Sequence, residues 1–166
     1  MCRDRQGGPG ERTLGELDIH MTQSHPAEHE TRLRAQQFLD SIEAKEAEAL
    51  AEALDPQVTL TMPMSHTGDR NDAVRWQGSE RVLGYFGGAF TRMGRIRFIN
   101  RRVSVAASGA TAFVQADGDF MTADGRPYQN VYVFRIDWRD GRIIAIEEYA
   151  NPLAFIQTFG NPHRDP

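Results

Sequence analysis

The feature that most constrains this chain is its C-terminal third, where four strand-like segments follow one another with only tight turns between them. Segments near 96–106, 111–122, 128–138 and 142–150 are rich in β-branched and aromatic residues and alternate in polarity, the period of half-buried strands. Connections this short leave no room for crossover helices, so successive segments pair antiparallel, as a meander. A sheet with one apolar face needs a cover, and the first half of the chain supplies it. From Glu30 onward, Leu33, Phe38, Leu39 and Ile42 recur at helical spacing. Helix continues through Glu43–Leu54 after a bend, until Asp55-Pro56 stops it. Val58–Met62 alternates as a strand, 65–74 reads as a polar loop, and Ser79 caps a helix running to Met93. Asn151-Pro152 ends the last strand, and Leu153–Phe159 forms a short closing helix before Gly160. The expected class is α+β: a curved antiparallel sheet packed against about three helices.

The 166 residues, 40% of them apolar, fit one domain with one core. Residues 1–29 lack any apolar period and read as a disordered arm, with Met21 as a second candidate start. The domain then spans 30–160, and 161–166 form a loose tail. A net charge of −4 disfavours nucleic acid and anionic membrane as partners. The local cluster Arg92, Arg95, Arg97, Arg101 and Arg102 reads as a solvated strand face in preference to a phosphate-binding patch. Cys2 is the only cysteine, which excludes an intramolecular disulfide and a cysteine metal cluster and suits a reducing cytoplasm. No apolar run approaches the roughly 20 residues that span a bilayer. His25-Pro-Ala-Glu-His29 fits a zinc-protease pattern, but it sits in the arm with Pro26 inside it, where no rigid helix is expected. No glycine-rich phosphate loop follows a strand. Neither a metal nor a cofactor is expected.

The turn Arg139-Asp140-Gly141 decides which residues share a face. A three-residue loop, with Gly141 in the left-handed position, sets Tyr132 opposite Glu148, Phe134 opposite Ile146 and Ile136 opposite Ile144. Tyr132, Phe134, Ile136, Ile144, Ile146 and Glu148 then lie on one side, with Arg135 and Glu147 on the other. A two-residue loop, Asp140-Gly141, moves Glu147 to the aromatic side instead. The three-residue loop separates apolar from charged residues more cleanly. Glu148 is then a lone carboxylate on an apolar face, where burial raises its pKa toward neutrality and fits it for proton transfer. The competing reading is a structural carboxylate that accepts bonds from nearby donors.

Gly125-Arg-Pro-Tyr-Gln-Asn130, Tyr132-Val-Phe134, Asp140-Gly141-Arg-Ile143 and Glu148-Tyr-Ala-Asn-Pro152 resemble the nuclear-transport-factor-2-like superfamily. Within it they resemble the SnoaL-like polyketide cyclases and the phenazine-biosynthesis A/B-type proteins, over roughly residues 30–160. The resemblance implies a cone-shaped fold around a pocket, commonly homodimeric, and cofactor-free cyclisation, isomerisation, condensation, dehydration or epoxide opening. It also implies a functional carboxylate at Glu148. The phenazine proteins carry a histidine on the helix after the first strand. Tyr85 stands there in this chain, which favours another natural-product substrate.

Other candidates each have a plainer alternative. His66, on the loop leaving the first strand, is either a proton relay at the pocket mouth or a solvated loop residue. Asp117 and Asp119 flank Gly118 and share a face, as a pair that activates a hydroxyl, with Asp119 the catalytic candidate, or as solvated side chains. Trp76, Tyr85, Phe90, Tyr132 and Phe134 are expected to line the pocket or fill the core, and Asn130 needs a partner inside the strand. The expected function is a cytoplasmic cyclase or isomerase of secondary metabolism acting on a small apolar, polyketide-like intermediate. The alternative is a non-catalytic binding module or dimeric scaffold on the same fold. An open cavity holding Glu148 favours the enzyme; a cavity filled by Trp76, Phe86 and Phe90 favours the scaffold.

Overall fold

The computed structural model describes residues 26–160. The elements run α1 (Pro26–Ala44), α2 (Ala47–Ala53), β1 (Leu54–Met62), β2 (Val74–Gln77), α3 (Ser79–Arg92), β3 (Met93–Arg95), β4 (Phe98–Val105), β5 (Thr111–Thr122), β6 (Pro127–Arg139), β7 (Arg142–Ala150) and α4 (Pro152–Phe159). The class is α+β, as expected.

Helix α1 begins inside the segment read as an arm. Pro26 opens it, where a missing N–H costs nothing. Its first turns dock on the β4–β5 turn: the Thr31 hydroxyl donates to the Gly109 carbonyl at 2.5 Å, and Arg32 reaches the Val103 carbonyl. Tertiary contact thus orders a polar stretch that has no apolar period of its own. Pro26–His29 are helical, while His25 and the remainder of the proposed arm and tail lie outside the described residues. Ala35, Phe38, Leu39 and Ile42 are the buried stripe of α1, whereas Leu33, expected in that stripe, is exposed. The expected bend follows at Lys45, in the left-handed region at φ 57°, and its ammonium caps the far end of α3 by bonding the Phe90 and Met93 carbonyls.

The sheet is mixed rather than wholly antiparallel. Its order is β2-β1-β7-β6-β5-β3, with β4 also paired to β5. The meander β5–β6–β7 is antiparallel, but β1 lies parallel to β7 and brings β2 beside it. Strand β1 also starts at Leu54, earlier than expected. Its register with β7 slips between Leu54 and Thr59, which accommodates Pro56 without a ladder bond. No helix among the described residues is long and apolar enough to cross a membrane.

The β6–β7 turn corrects the expected register. Asp140 (φ 50°) and Gly141 (φ 79°) form a two-residue turn with both residues left-handed, and Arg139 faces Arg142. That turn alone would send Glu147 inward. A β-bulge reverses it: Trp138 pairs with Ile143 but Asp137 pairs with Ala145, leaving Ile144 unpaired. Beyond the bulge Phe134 faces Glu148 and Arg135 faces Glu147, whereas the sequence reading set Tyr132 against Glu148. Glu148 reaches the concave face because the turn and the bulge each shift the register by one.

Candidate active site

Between the concave face of the sheet, α3, α4 and the loop after β1 lies a cavity of about 570 Å³. Alternation along β6 points Tyr128, Asn130, Tyr132 and Phe134 into it, and β7 adds Glu148 and Ala150. Helix α3 contributes Tyr85 with Gly84 and Gly88, β2 contributes Trp76, and Phe155 of α4 approaches from the other side. A Cβ on Gly118 would stand 2.6 Å from Cε2 of Tyr132, so this glycine lets the tyrosine ring lie flat against β5.

Glu148 is 6% exposed. Tyr85, one turn and a half into α3, donates its hydroxyl to Oε2 at 2.8 Å. Burial pushes the carboxyl up from 4.5 to about 7, against the opposing pull of the Tyr85 hydrogen bond. Burial first, then the adjacent Glu148, holds the Tyr85 phenol well above its ordinary value. The phenol therefore stays a donor while the carboxyl changes state. Tyr85 is itself fixed by Trp76, ring to ring at 4.7 Å, and by Phe86 at 5.3 Å. Near neutral pH the carboxyl and carboxylate forms are comparably populated, so one group can take a proton and return it.

A second polar set lies further along β6. Asn130 Oδ1 accepts from the backbone N–H of Val131 (2.8 Å) and of Asn151 (3.0 Å), which fixes the orientation of the amide. Its Nδ2 then donates to the Tyr128 hydroxyl at 2.8 Å and to the Asn151 carbonyl at 3.2 Å. Asn151 meanwhile caps α4 by accepting from Leu153 N at 3.0 Å. The Asn-Pro pair thus ties the end of β7, the start of α4 and β6 together beside the pocket. Tyr132 stacks on Phe134, with ring planes 3° apart at 5.7 Å.

The structure brings most of the sequence-derived candidates together. Glu148, His66, Tyr132, Asn130, Trp76, Tyr85 and Phe134 all line the cavity. His66 stands at the mouth, its ring 4.8 Å from that of Phe155. Two candidates lie elsewhere. Asp119 is on the outer face with Asp117, since Gly118 and Phe120 take the inward positions, and it pairs with Arg95 at 3.2 Å while Asp117 bonds Asn100 at 2.8 Å. Phe90 is off the cavity wall and packs against Phe86 at 6.5 Å. Glu147 points outward as well, where Arg135 (3.0 Å) and the Tyr149 hydroxyl (2.8 Å) hold it in a surface network. Tyr128, Arg81 and Arg92 line the cavity and were missed. Tyr128 shares the parity of Asn130 and Tyr132 and was legible on that ground; Arg81 carries no sequence signal distinct from a solvated helix face, and Arg92, expected on a solvated strand face, stands instead in the last turn of α3. Among the described residues, no group of three His, Cys, Asp or Glu side chains is placed to hold a metal ion.

No curated protein matches the sequence significantly. Among solved structures, a Bacillus subtilis protein described as an isomerase superposes with TM-score 0.69 at 22% identity, over 81% of this chain and 96% of its own. A Xanthomonas campestris protein described as a polyketide cyclase gives 0.66 at 15% identity, over 79% and 97%. A Burkholderia pseudomallei protein described as NTF2-like gives 0.64 at 14% identity, over 80% and 97%. At these identities the likeness shows the fold, the nuclear-transport-factor-2-like one. The sequence itself matches the SnoaL-like domain over residues 35–146, a span that stops two residues short of Glu148. Sequence match and fold agree, and the chain belongs to the SnoaL-like domain family.

Proposed function

We propose that the protein is a cofactor-independent cyclase or isomerase that moves a proton on a small apolar, polyketide-like intermediate, with Glu148 as the acid/base. The observation that carries this reading is a buried carboxyl, titrating near 7 and held by Tyr85, inside an open cavity of about 570 Å³ rather than one filled by aromatic side chains. As carboxylate, Glu148 takes a proton from carbon next to a carbonyl; as carboxylic acid, it returns that proton to another position of the enolate. The apolar wall excludes water and strengthens the field at the reacting atoms. Tyr132 and the Asn130–Tyr128 pair orient oxygen atoms of the substrate, and His66 stands where a substrate enters. The polyketide cyclase and isomerase descriptions of its structural neighbours point to the same chemistry. This reading includes a second copy of the chain. The outer sheet face exposes the apolar side chains of Phe113 and Val131, a patch that a twofold-related copy would cover.

The test is proton exchange on 2-tetralone, a two-ring ketone with an acidic α-carbon, followed by NMR in deuterated buffer. Exchange above the buffer background is expected to rise with pH through about 7 as the carboxylate forms, and to vanish in Glu148→Gln. Equal exchange by wild type and Glu148→Gln would sink the assignment. A non-catalytic binding module would hold the ketone in both proteins and exchange it in neither.

A further inference from the structure

We infer that the substrate carries a carboxylate, and that Arg92 is the residue that binds it. The inference rests on the reading of the cavity as a substrate pocket and names the chemical class of what enters it. The sequence as a whole is acidic, with net charge −4, yet the cavity wall is not. Among the described residues Glu148 is the only acidic one in that wall, and its carboxyl is half neutral near pH 7. Arg81 and Arg92 are the arginines in the wall. Neither makes an ion pair with a described carboxylate; several surface arginines, Arg75, Arg97 and Arg139 among them, make none either, so what sets Arg81 and Arg92 apart is their place in the cavity wall. Two cations with no ion pair among the described residues thus border a mainly apolar cavity.

Arg92 is the better placed of the two. Its guanidinium folds back along α3, with Nη1 3.4 Å from where a Cβ would stand on Gly88. Gly88 also lines the cavity, and a Cβ there would meet the guanidinium only at ordinary contact distance, so the folded-back position sets the charge beside the cavity wall without depending on the glycine. The guanidinium charge reaches inward, lowering the titration of the Tyr85 and Tyr128 hydroxyls against the larger effect of burial. Last-turn cations also complement a helix dipole, but that role needs no cavity wall and leaves the charge free to bind. With the guanidinium folded back beside Gly88, three residues and about 4.5 Å of helix rise separate it from Tyr85. A substrate that meets both therefore holds its acid group within the span of a small ring system from the atom at Glu148. A guanidinium matches a carboxylate in two parallel hydrogen bonds, which an ester cannot accept in the same way.

The test compares 2-naphthoate with methyl 2-naphthoate, two rings of the same size that differ in charge, by calorimetry at pH 7 and low salt. Wild type is expected to bind the acid about tenfold tighter than the ester. Arg92→Met is expected to erase that preference while keeping the affinity for the ester, and Arg97→Met, an exposed arginine outside the cavity wall, to leave the preference intact. Equal binding of acid and ester by wild type overturns the inference, as does a preference that survives Arg92→Met, and so does an absence of binding by both probes. The first two outcomes leave the acid/base reading standing. That reading fails separately, if 2-tetralone exchange is indifferent to Glu148→Gln.

Discussion

Replacing Glu148 by glutamine should change how stability depends on pH, and the size follows from the burial of the carboxyl. Folding moves its pKa from 4.5 to about 7. At 1.36 kcal/mol for each tenfold change in proton affinity, that corresponds to about 3 kcal/mol. The sign is opposite to that of a salt-bridged acid. Below 4.5 both folded and unfolded chains hold the proton, and Glu148 imposes no charge on the apolar pocket. Between 4.5 and about 7 the folded state binds more protons than the unfolded, so stability falls as pH rises, and above 7 the full penalty is present. Glutamine keeps an acceptor for the Tyr85 hydroxyl and carries no charge at any pH. Urea denaturation of both proteins at several pH values from 4 to 8 isolates the effect, because every other carboxyl titrates alike in the two. Taking the difference at pH 4 as baseline, Glu148→Gln should gain about 3 kcal/mol over wild type by pH 8. A difference that stays flat across the range would refute the reasoning, since it would mean that burial has not shifted the carboxyl.

Three further outcomes follow from named contacts. Tyr85→Phe removes the hydrogen bond that pulls the Glu148 titration down, so the rise of 2-tetralone exchange should move to higher pH, measured as a pH–rate profile. Asn130→Ala leaves the Val131 and Asn151 N–H groups without their acceptor and frees the start of α4; at 1–3 kcal/mol per lost buried partner it should cost about 3 kcal/mol in urea unfolding. Val131→Arg places a charge on the exposed apolar part of the outer face; if the proposed dimer forms through that face, the variant should be monomeric in sedimentation equilibrium where wild type is dimeric.

What was legible in the sequence is what local rules decide. The Phe38, Leu39 and Ile42 part of the α1 stripe, the alternation along β5 and β6, and the Asn151-Pro152 start of α4 all follow from periodicity and caps, and each is found. The inward parity of Tyr132 and Asn130 follows from the same alternation. Long-range pairing was not legible. Nothing near Val58 announces that β1 will lie parallel to β7, or that Val74–Gln77 will add a further strand beside it, because those bonds join segments distant in the chain. The ordering of Pro26–His29 likewise depends on a turn some eighty residues away, through Thr31 and Gly109. The β6–β7 register shows why a correct residue can rest on a wrong step. The cleaner separation of faces pointed to Glu148 through a three-residue turn, whereas the chain uses a two-residue turn and brings Glu148 inward with a bulge at Ile144, burying Ile143 in place of Ile144. The burial pattern constrained the faces; the turn residues alone did not. Asp119 failed for the reverse reason: its parity follows from Phe120, and the strand turns that aromatic residue, not the carboxylates, toward the core.

The measurement that bears most directly on the central claim is a carbon-13 NMR titration of the glutamate side-chain carboxyls, in wild type and in Glu148→Gln. A single resonance titrating near 7 in wild type, and missing from the variant, is the result expected of a proton-transfer carboxyl in this pocket. If every glutamate titrates below about 5, in the ordinary solvated range, Glu148 is an ionised structural side chain at neutral pH and the proposed chemistry fails.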